Sequence, residues 1–100
     1  MAIVERRVQF KVKSEEKYRE REKKWEDVER RLGGYPPKRH MMLLAGADYV
    51  GTLVWEREWE SVAAMEAAYE KLNTAADAQP LFASYESILE GERMELYTIE

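Results

Sequence analysis

The feature that most constrains this chain is the order in which its hydrophobic pattern changes along the sequence. The first residues alternate apolar and polar side chains, which is the period of a strand with one apolar face. A helical period follows, then two strand-like runs around a turn, a second helix with a short extension, and a final strand. The predicted elements are strands over residues 2–13, 40–45, 49–58 and 94–99, and helices over residues 15–32, 62–73 and 80–89.

Residues that favour caps and turns mark the ends of these elements. Ser14 and Ser61 precede the two longer helices, where a serine hydroxyl accepts a hydrogen bond from an amide of the first turn. Gly33-Gly34 and Pro36-Pro37 follow the first helix, because glycine tolerates a positive φ and proline cannot continue a helix. Gly46-Ala47-Asp48 is predicted to be the turn of a hairpin.

This order of elements predicts the α+β class. The arrangement βαββα(α)β is typical of the ferredoxin-like fold, in which a four-stranded antiparallel sheet carries its helices on one face. One hundred residues are the usual size of a single domain, so residues 1–100 are expected to form one unit.

The two faces of the first strand differ in polarity. Its even-numbered apolar residues are expected to pack on the helices; they are Val4, Val8, Phe10 and Val12. Its odd-numbered polar residues are then expected on the opposite, open face; they are Glu5, Arg7, Gln9 and Lys11. In a monomer this polar row would face water. Between two sheets packed face to face, it would line an interior.

The third strand favours the second arrangement. Leu53 and Trp55 lie on one side of it, and Val50 and Val54 lie on the other, so both sides are apolar. A strand that is apolar on both sides is expected to be covered on both sides. A second copy of the same sheet is the simplest cover, and the sequence therefore predicts a homodimer in which two sheets close a barrel.

Composition excludes several classes of function and partner. The chain has no cysteine, which excludes disulfides, thiolate metal sites and cysteine nucleophiles. No apolar run reaches the length of a membrane span and no secretory signal is recognised, so we expect a cytoplasmic protein without a membrane partner. The net charge is −4 and the third strand lacks the basic and aromatic motif of RNA-recognition domains, so no nucleic-acid partner is expected.

The segment 53–69, LVWEREWESVAAMEAAY, together with this order of elements, resembles the dimeric α/β-barrel superfamily. The similarity is to its NIPSNAP-like and antibiotic-biosynthesis-monooxygenase-like branches, in which an aromatic and acidic strand end runs into an alanine-rich helix. The helical piece over residues 80–89 is also NIPSNAP-like. The resemblance implies a barrel of two four-stranded sheets with a cavity in or beside each sheet. Members include monooxygenases without cofactor that act on aromatic compounds or quinols.

The resemblance and the residues together suggest four candidate site residues. His40 is the candidate base, since histidine changes charge near neutral pH, although it follows Lys38-Arg39 at a strand entrance where an exposed histidine is ordinary. Arg7 and Gln9 are candidates for orienting an oxygen of a small aromatic ligand, and Trp55 is a candidate for stacking on it.

Two functions remain open at this point. The first is a small-molecule-binding dimer, in particular a cofactor-independent monooxygenase of an aromatic or quinol-like substrate. The haem-degrading members of the superfamily use a histidine in the second helix region, and this chain has none there, so neither haem nor another cofactor is expected, nor a metal. The second is a non-catalytic dimeric structural or interaction module whose barrel is filled by its own side chains.

Overall fold

A computed structural model describes every residue from Met1 to Glu100. The chain forms four strands and four helices, in the predicted order except that two short helices replace the one predicted over residues 80–89. They are β1 (Ile3–Val12), α1 (Glu15–Leu32), β2 (Arg39–Met42), β3 (Leu53–Trp59), α2 (Val62–Thr74), α3 (Gln79–Ala83), α4 (Tyr85–Ile88) and β4 (Leu89–Thr98), with a 3₁₀ turn at Ala76–Ala78.

The four strands form one antiparallel sheet with the order β2-β3-β1-β4. Side chains of α1 and α2 reach the same face of β1, where Tyr18 bonds to Gln9 and Tyr69 bonds to Glu5. The predicted ferredoxin-like α+β fold is therefore confirmed. None of the helices is both long and apolar enough to cross a membrane.

The predicted caps of the two long helices are present. The Ser14 hydroxyl accepts from the amide of Lys17 at 3.3 Å, and the Ser61 hydroxyl accepts from the amide of Ala64 at 3.1 Å. Gly33 ends α1 with a φ of 78°, and its amide donates to the carbonyl of Glu29. Each cap satisfies backbone groups that the helix itself leaves free.

The apolar core lies between the sheet and the helices in three clusters. One is centred on Trp25, one on Trp59 and one on Tyr18. The clusters are separated by the charged side chains of the sheet's middle, so the layer between sheet and helices is not uniformly apolar.

The connection between β2 and β3 differs from the predicted tight hairpin. It is a loop over residues 43–52, because β2 ends at Met42 and β3 begins only at Leu53. The loop reaches across β1: Asp48 bonds to Arg93 of β4, and Tyr49 lies 5.4 Å from the ammonium group of Lys11. The apolar pair Tyr49-Val50, which predicted a strand, is exposed in this loop.

The last strand also begins earlier than predicted, at Leu89 instead of Met94. Gly91 lies inside it, although the sequence suggested a break there. A Cβ at position 91 would lie 2.2 Å from the ring of Phe10, its partner across the strands, so glycine is needed for the close approach of that ring.

The predicted orientation of β1 is wrong over most of its length. Its odd-numbered residues face the helices, with Glu5 fully buried and Gln9 2% exposed. Its even-numbered residues, such as Val4 and Val8, lie on the opposite face. Only beyond Lys11, which has a φ of 55°, does Val12 join the Tyr18 cluster on the helix side. Polar side chains can occupy the interior when each finds a partner there.

Candidate functional site

A cavity of about 520 Å³ lies between the helix side of the sheet and the helices, and we name it the central cavity. Its wall combines charged and aromatic side chains. The charged ones are Arg7, Arg21, Glu22, Glu29, Lys38, Arg57 and Glu92, and the aromatic ones are Trp25, Trp55, Tyr69, Phe82 and Tyr85. Arg7, Gln9 and Trp55, three of the four candidates from the sequence, lie in this wall.

Glu5 is the buried centre of the polar network beneath the cavity. Its carboxylate accepts hydrogen bonds from Arg7 Nε at 2.8 Å, Arg57 Nε at 3.3 Å and Trp59 Nε1 at 2.9 Å, and a fourth from the Tyr69 hydroxyl. Four donors satisfy the acceptor capacity of a carboxylate. A fully buried charge is tolerated here because every lone pair has a partner.

The network holds Glu5 in its ionised form. Burial alone would raise the pKa of Glu5, but the Tyr69 hydrogen bond and the Arg7 guanidinium outweigh it and lower the pKa below 4.5. Burial raises the pKa of Tyr69, so its phenol stays protonated and donates to Glu5.

Arg7 and Arg57 join Glu5 to two further carboxylates at the cavity wall. Arg7 Nη1 donates to Glu92 at 2.8 Å, and Arg57 Nη1 donates to both oxygens of Glu29 at 3.0 and 3.1 Å. The Glu5 charge next to it raises the pKa of Arg7 against the effect of burial. Both guanidinium groups are thus fixed in place before any ligand arrives.

Gln9 is oriented from two sides. The buried Tyr18 hydroxyl donates to its carbonyl oxygen, and its Nε2 donates to Glu92 at 3.4 Å. The amide group is therefore held with its nitrogen toward Glu92 and the cavity. Burial also raises the pKa of Tyr18, so that hydroxyl remains a donor.

Trp55 lies among cations rather than beside an open stacking surface. Lys38 Nζ is 4.4 Å from the centre of its ring, and the guanidinium carbons of Arg57 and Arg7 are 5.0 and 5.7 Å away. These distances are those of cation–π contacts. The indole Nε1 of Trp55 is buried and has no hydrogen-bond partner in the protein.

His40 does not lie in the central cavity. It is on the edge strand β2, its side chain is 36% exposed, and its Nε2 is 4.0 Å from a carboxylate oxygen of Glu26 in α1. It borders a separate pocket of about 120 Å³ with Tyr18 and Leu53 among its neighbours. His40 is the register partner of Trp55 across β2 and β3, but its side chain does not line the central cavity with Arg7, Gln9 and Trp55.

Sequence reasoning missed several residues of the cavity wall. Arg57 is the register partner of Glu5, and Glu92 is the register partner of Gln9, so both could have been found from the strand pairing. Arg21 falls in the apolar stripe of α1 between Tyr18 and Trp25, at a spacing that points it to the core. A charged residue inside an apolar helical stripe was therefore the sequence signal that could have identified Arg21 as part of the site.

Comparison with known proteins identifies the fold. No protein-family model and no curated protein matches the sequence. A NIPSNAP family protein from Agrobacterium tumefaciens strain C58 superposes with a TM-score of 0.73 over 100% of this chain and 94% of that chain, at 13% identity. A NIPSNAP domain protein from Burkholderia xenovorans superposes with a TM-score of 0.67 over 100% and 95%, at 17% identity.

An enzyme has the same fold. The hydroxynitrile lyase from Passiflora edulis superposes with a TM-score of 0.64 over 99% of this chain and 94% of that chain, at 12% identity. At such low identities, the superpositions establish the architecture only. Any activity must be argued from the residues of the site. On this evidence the chain has a NIPSNAP-like, ferredoxin-like fold.

Proposed function

We propose that the protein binds a small aromatic or quinol-like molecule in the central cavity. The observation that carries this proposal is the buried polar network that opens onto the cavity through Arg7, Gln9 and Trp55. Ligand cavities typically combine apolar walls with a few fixed polar groups, and this wall has both.

The energetic cost of the network supports a functional reading. Ion pairs that are taken out of water are often no more stable than apolar residues of the same volume. Arg57 is 3% exposed and Glu5 is fully buried, so charged side chains occupy part of the interior of this small domain, where apolar side chains would otherwise lie. Clusters of buried, partnered charges beside a cavity are typical of functional sites.

The unpartnered indole of Trp55 gives independent support. Most buried donors in proteins have an acceptor, and a donor without one calls for an explanation. Trp55 Nε1 lacks an acceptor at a position where the side chain borders the cavity. Because Nε1 itself is enclosed, a ligand oxygen would supply that acceptor only if binding uncovered the atom.

Within this proposal, the finer hypothesis is cofactor-independent oxygenation, in which the bound substrate is deprotonated and itself reacts with dioxygen. Glu92 is better placed as the base than His40, because its carboxylate lies in the cavity wall and His40 borders a separate pocket. Arg7 would then hold the resulting phenolate, and Gln9 would donate to it from Nε2.

The three tryptophans allow a direct binding test by NMR. In a ¹H–¹⁵N spectrum with hydroquinones and naphthols as probes, we expect the indole signals of Trp25 and Trp55 to shift, since both line the cavity. The indole of Trp59 is the internal control, because its Nε1 is bonded to Glu5 and it lies outside the cavity wall. Shifts at Trp59 alone, or at no indole, would contradict the proposal.

Oxygenase activity is tested separately, by oxygen uptake with the probes that bind. We expect uptake by the unaltered protein and a loss of at least tenfold in Glu92→Gln, in line with the contribution of a general base of about 10²–10⁴. Equal uptake by His40→Ala would support Glu92 over His40. Binding without uptake would leave a binding protein and remove the oxygenase hypothesis.

We also propose that two copies associate through the sheet face opposite the helices. Apolar side chains remain exposed there, with Tyr97 46% exposed, beside a groove of about 580 Å³ that Val4 and Glu58 help to line. Sedimentation of the unaltered protein against Tyr97→Lys tests this. A monomer in both cases would contradict it.

The cytoplasm stays the predicted compartment, which cell fractionation would test.

The alternative, a non-catalytic structural or interaction module, has one specific observation in its favour. Every carboxylate in the cavity wall is already bonded to a cation of the chain, as a self-contained core would require. Absence of any probe binding in the NMR experiment would favour this module.

A further inference from the structure

One cation in the wall of the central cavity has no carboxylate partner. Arg21 of α1 forms no ion pair within 4.0 Å, whereas the other three lining cations each pair with a lining carboxylate. Those pairs are Arg7 with Glu92 at 2.8 Å, Lys38 with Glu22 at 3.1 Å and Arg57 with Glu29 at 3.0 Å. The wall thus contains four cations and three carboxylates, and the buried Glu5 beneath it also pairs with Arg7 and Arg57. Arg21 is the one lining cation without a direct ion pair.

The chain holds Arg21 by neutral groups only. Its Nε donates to the Leu81 carbonyl at 3.1 Å and to the Ser84 hydroxyl at 3.1 Å, and its Nη2 donates to the same carbonyl at 2.9 Å. These bonds fix the guanidinium and leave Nη1 without a protein partner. The rings of Trp25 and Tyr85 lie 5.6 and 5.9 Å from the guanidinium carbon, within cation–π range.

Arg21 is also buried, with 7% of the residue exposed. A charge removed from water without a counter-ion is unfavourable. Burial lowers the pKa of Arg21 even though the nearby charges of Glu22 and Glu92 raise it, whereas for Arg7 and Arg57, which are bonded directly to carboxylates, the neighbours outweigh burial. A fixed, desolvated guanidinium with one free nitrogen is suited to bind an anion.

We propose that the ligand of the central cavity is an aromatic monoanion whose carboxylate pairs with Nη1 of Arg21. This inference rests on the proposed function and specifies its ligand class. A single anionic group is expected because Arg21 is the one lining cation without a direct ion pair, and only its Nη1 is free to bind. The aromatic body would pack against Phe82, Tyr85 and Trp25, which lie around Arg21 in the same wall.

The unaltered protein provides the first test. Dissociation constants are measured by calorimetry for 2-naphthoate, for its neutral isostere 2-naphthamide and for the dianion 2-naphthyl phosphate. We expect 2-naphthoate to bind at least tenfold more tightly than 2-naphthamide, and more tightly than the phosphate.

The second test removes the charge. In Arg21→Met we expect the affinities for 2-naphthoate and 2-naphthamide to become equal, with the amide bound as before. Arg19→Met is the matched control, because Arg19 is on the same helix but pairs with Glu15 at the surface. The control should keep the preference for the acid.

The outcomes separate this inference from the proposed function. Equal binding of acid and amide by the unaltered protein overturns the inference and leaves the cavity proposal standing. Tighter binding of the phosphate overturns the single-charge assignment. Binding of none of the three probes contradicts the cavity proposal itself. If Arg21→Met does not fold, the acid-to-amide ratio of the unaltered protein still decides.

Discussion

The two faces of the sheet are buried by different means. On the helix side, Glu5, Gln9 and Arg57 are at most 3% exposed, and each is bonded to several partners. On the opposite face, Val8 and Val54 are 2% and 5% exposed although no helix covers them. There the loop over residues 43–52 passes across β1 and is tied to β4 by Asp48 and Arg93.

This contrast shows that a face of the sheet can be buried whether its side chains are apolar or polar. The apolar side of β1 is covered by a loop, and its polar side is the one enclosed by helices. A polar row has the same alternating pattern whether it faces water or a network of partners. The position of the paired charges, and not their presence, is what separates a site from a solvated surface.

The largest effect is expected from removing the centre of the helix-side network. Glu5→Ala leaves four donors without an acceptor, among them the guanidinium groups of Arg7 and Arg57. Breaking a buried ion pair by deleting one partner costs about 3–5 kcal/mol, and we expect a loss of that size in the unfolding free energy measured with urea. Glu58→Ala is the matched control on the opposite face, where the carboxylate is exposed and a change within about 0.5 kcal/mol is expected. Equal losses would remove the contrast between the faces.

The same carboxylate predicts how stability depends on pH. The pKa of Glu5 is lowered on folding from its ordinary value of 4.5, so its contribution is fully present above that pH and is lost as the pH falls below it. Urea unfolding between pH 6 and the acid limit should therefore show a steeper loss of stability for the unaltered protein than for Glu5→Gln. Parallel curves would show that Glu5 is not held ionised by the fold.

The two tryptophans of β3 allow a finer comparison within the helix-side layer. Trp59→Phe removes the Nε1 that donates to Glu5 at 2.9 Å, whereas Trp55→Phe removes an Nε1 that has no partner. Both changes shrink the ring equally, but Trp55→Phe also weakens the cation–π contacts to Lys38 and Arg7, so the difference is a lower bound for the hydrogen bond. We expect Trp59→Phe to lose about 1.5–3 kcal/mol more, the range for a bond to a charged group. Only Trp55→Phe should weaken binding of a cavity probe. A larger stability loss in Trp55→Phe would mean that its indole has a structural role.

Local patterns predicted the elements, since strand and helix periods and the caps Ser14 and Ser61 depend on neighbouring residues. They failed where an apolar pair such as Tyr49-Val50 lies in a loop, because exposure depends on the rest of the fold. Arg7 and Gln9 were selected from the right strand but placed on the wrong side of the sheet, and Trp55 was selected without a prediction of which side it faces. Which side of β1 meets the helices depends on partners from α2 and β3, which no single strand reveals.

The candidate site was less predictable than the fold for a similar reason. Lys38 precedes β2, Arg21 is on α1 and Glu92 is on β4, and only the closed fold brings them to one cavity. His40 was chosen for its chemistry, and its position at a strand entrance did not show whether it would face the cavity. A residue type indicates what a side chain can do, and the contacts decide whether it faces a ligand.

The smallest effect on global stability is expected on the loop-covered face. Asp48→Asn weakens the contact to Arg93, whose Nη1 and Nη2 lie 3.2 and 3.0 Å from the carboxylate, but this pair is exposed to solvent and screened by salt. We expect an unchanged unfolding free energy together with faster hydrogen exchange at the amide of Gly51, which bonds to the Leu43 carbonyl inside the loop. Such a result would mean that the ion pair sets how often the loop opens, while the burial of the sheet beneath it sets how stable the closed form is. If global stability instead falls as far as in Glu5→Ala, both faces depend on charge to the same degree. The loop would then be a fixed part of the core and not a cover that a second copy of the sheet could displace.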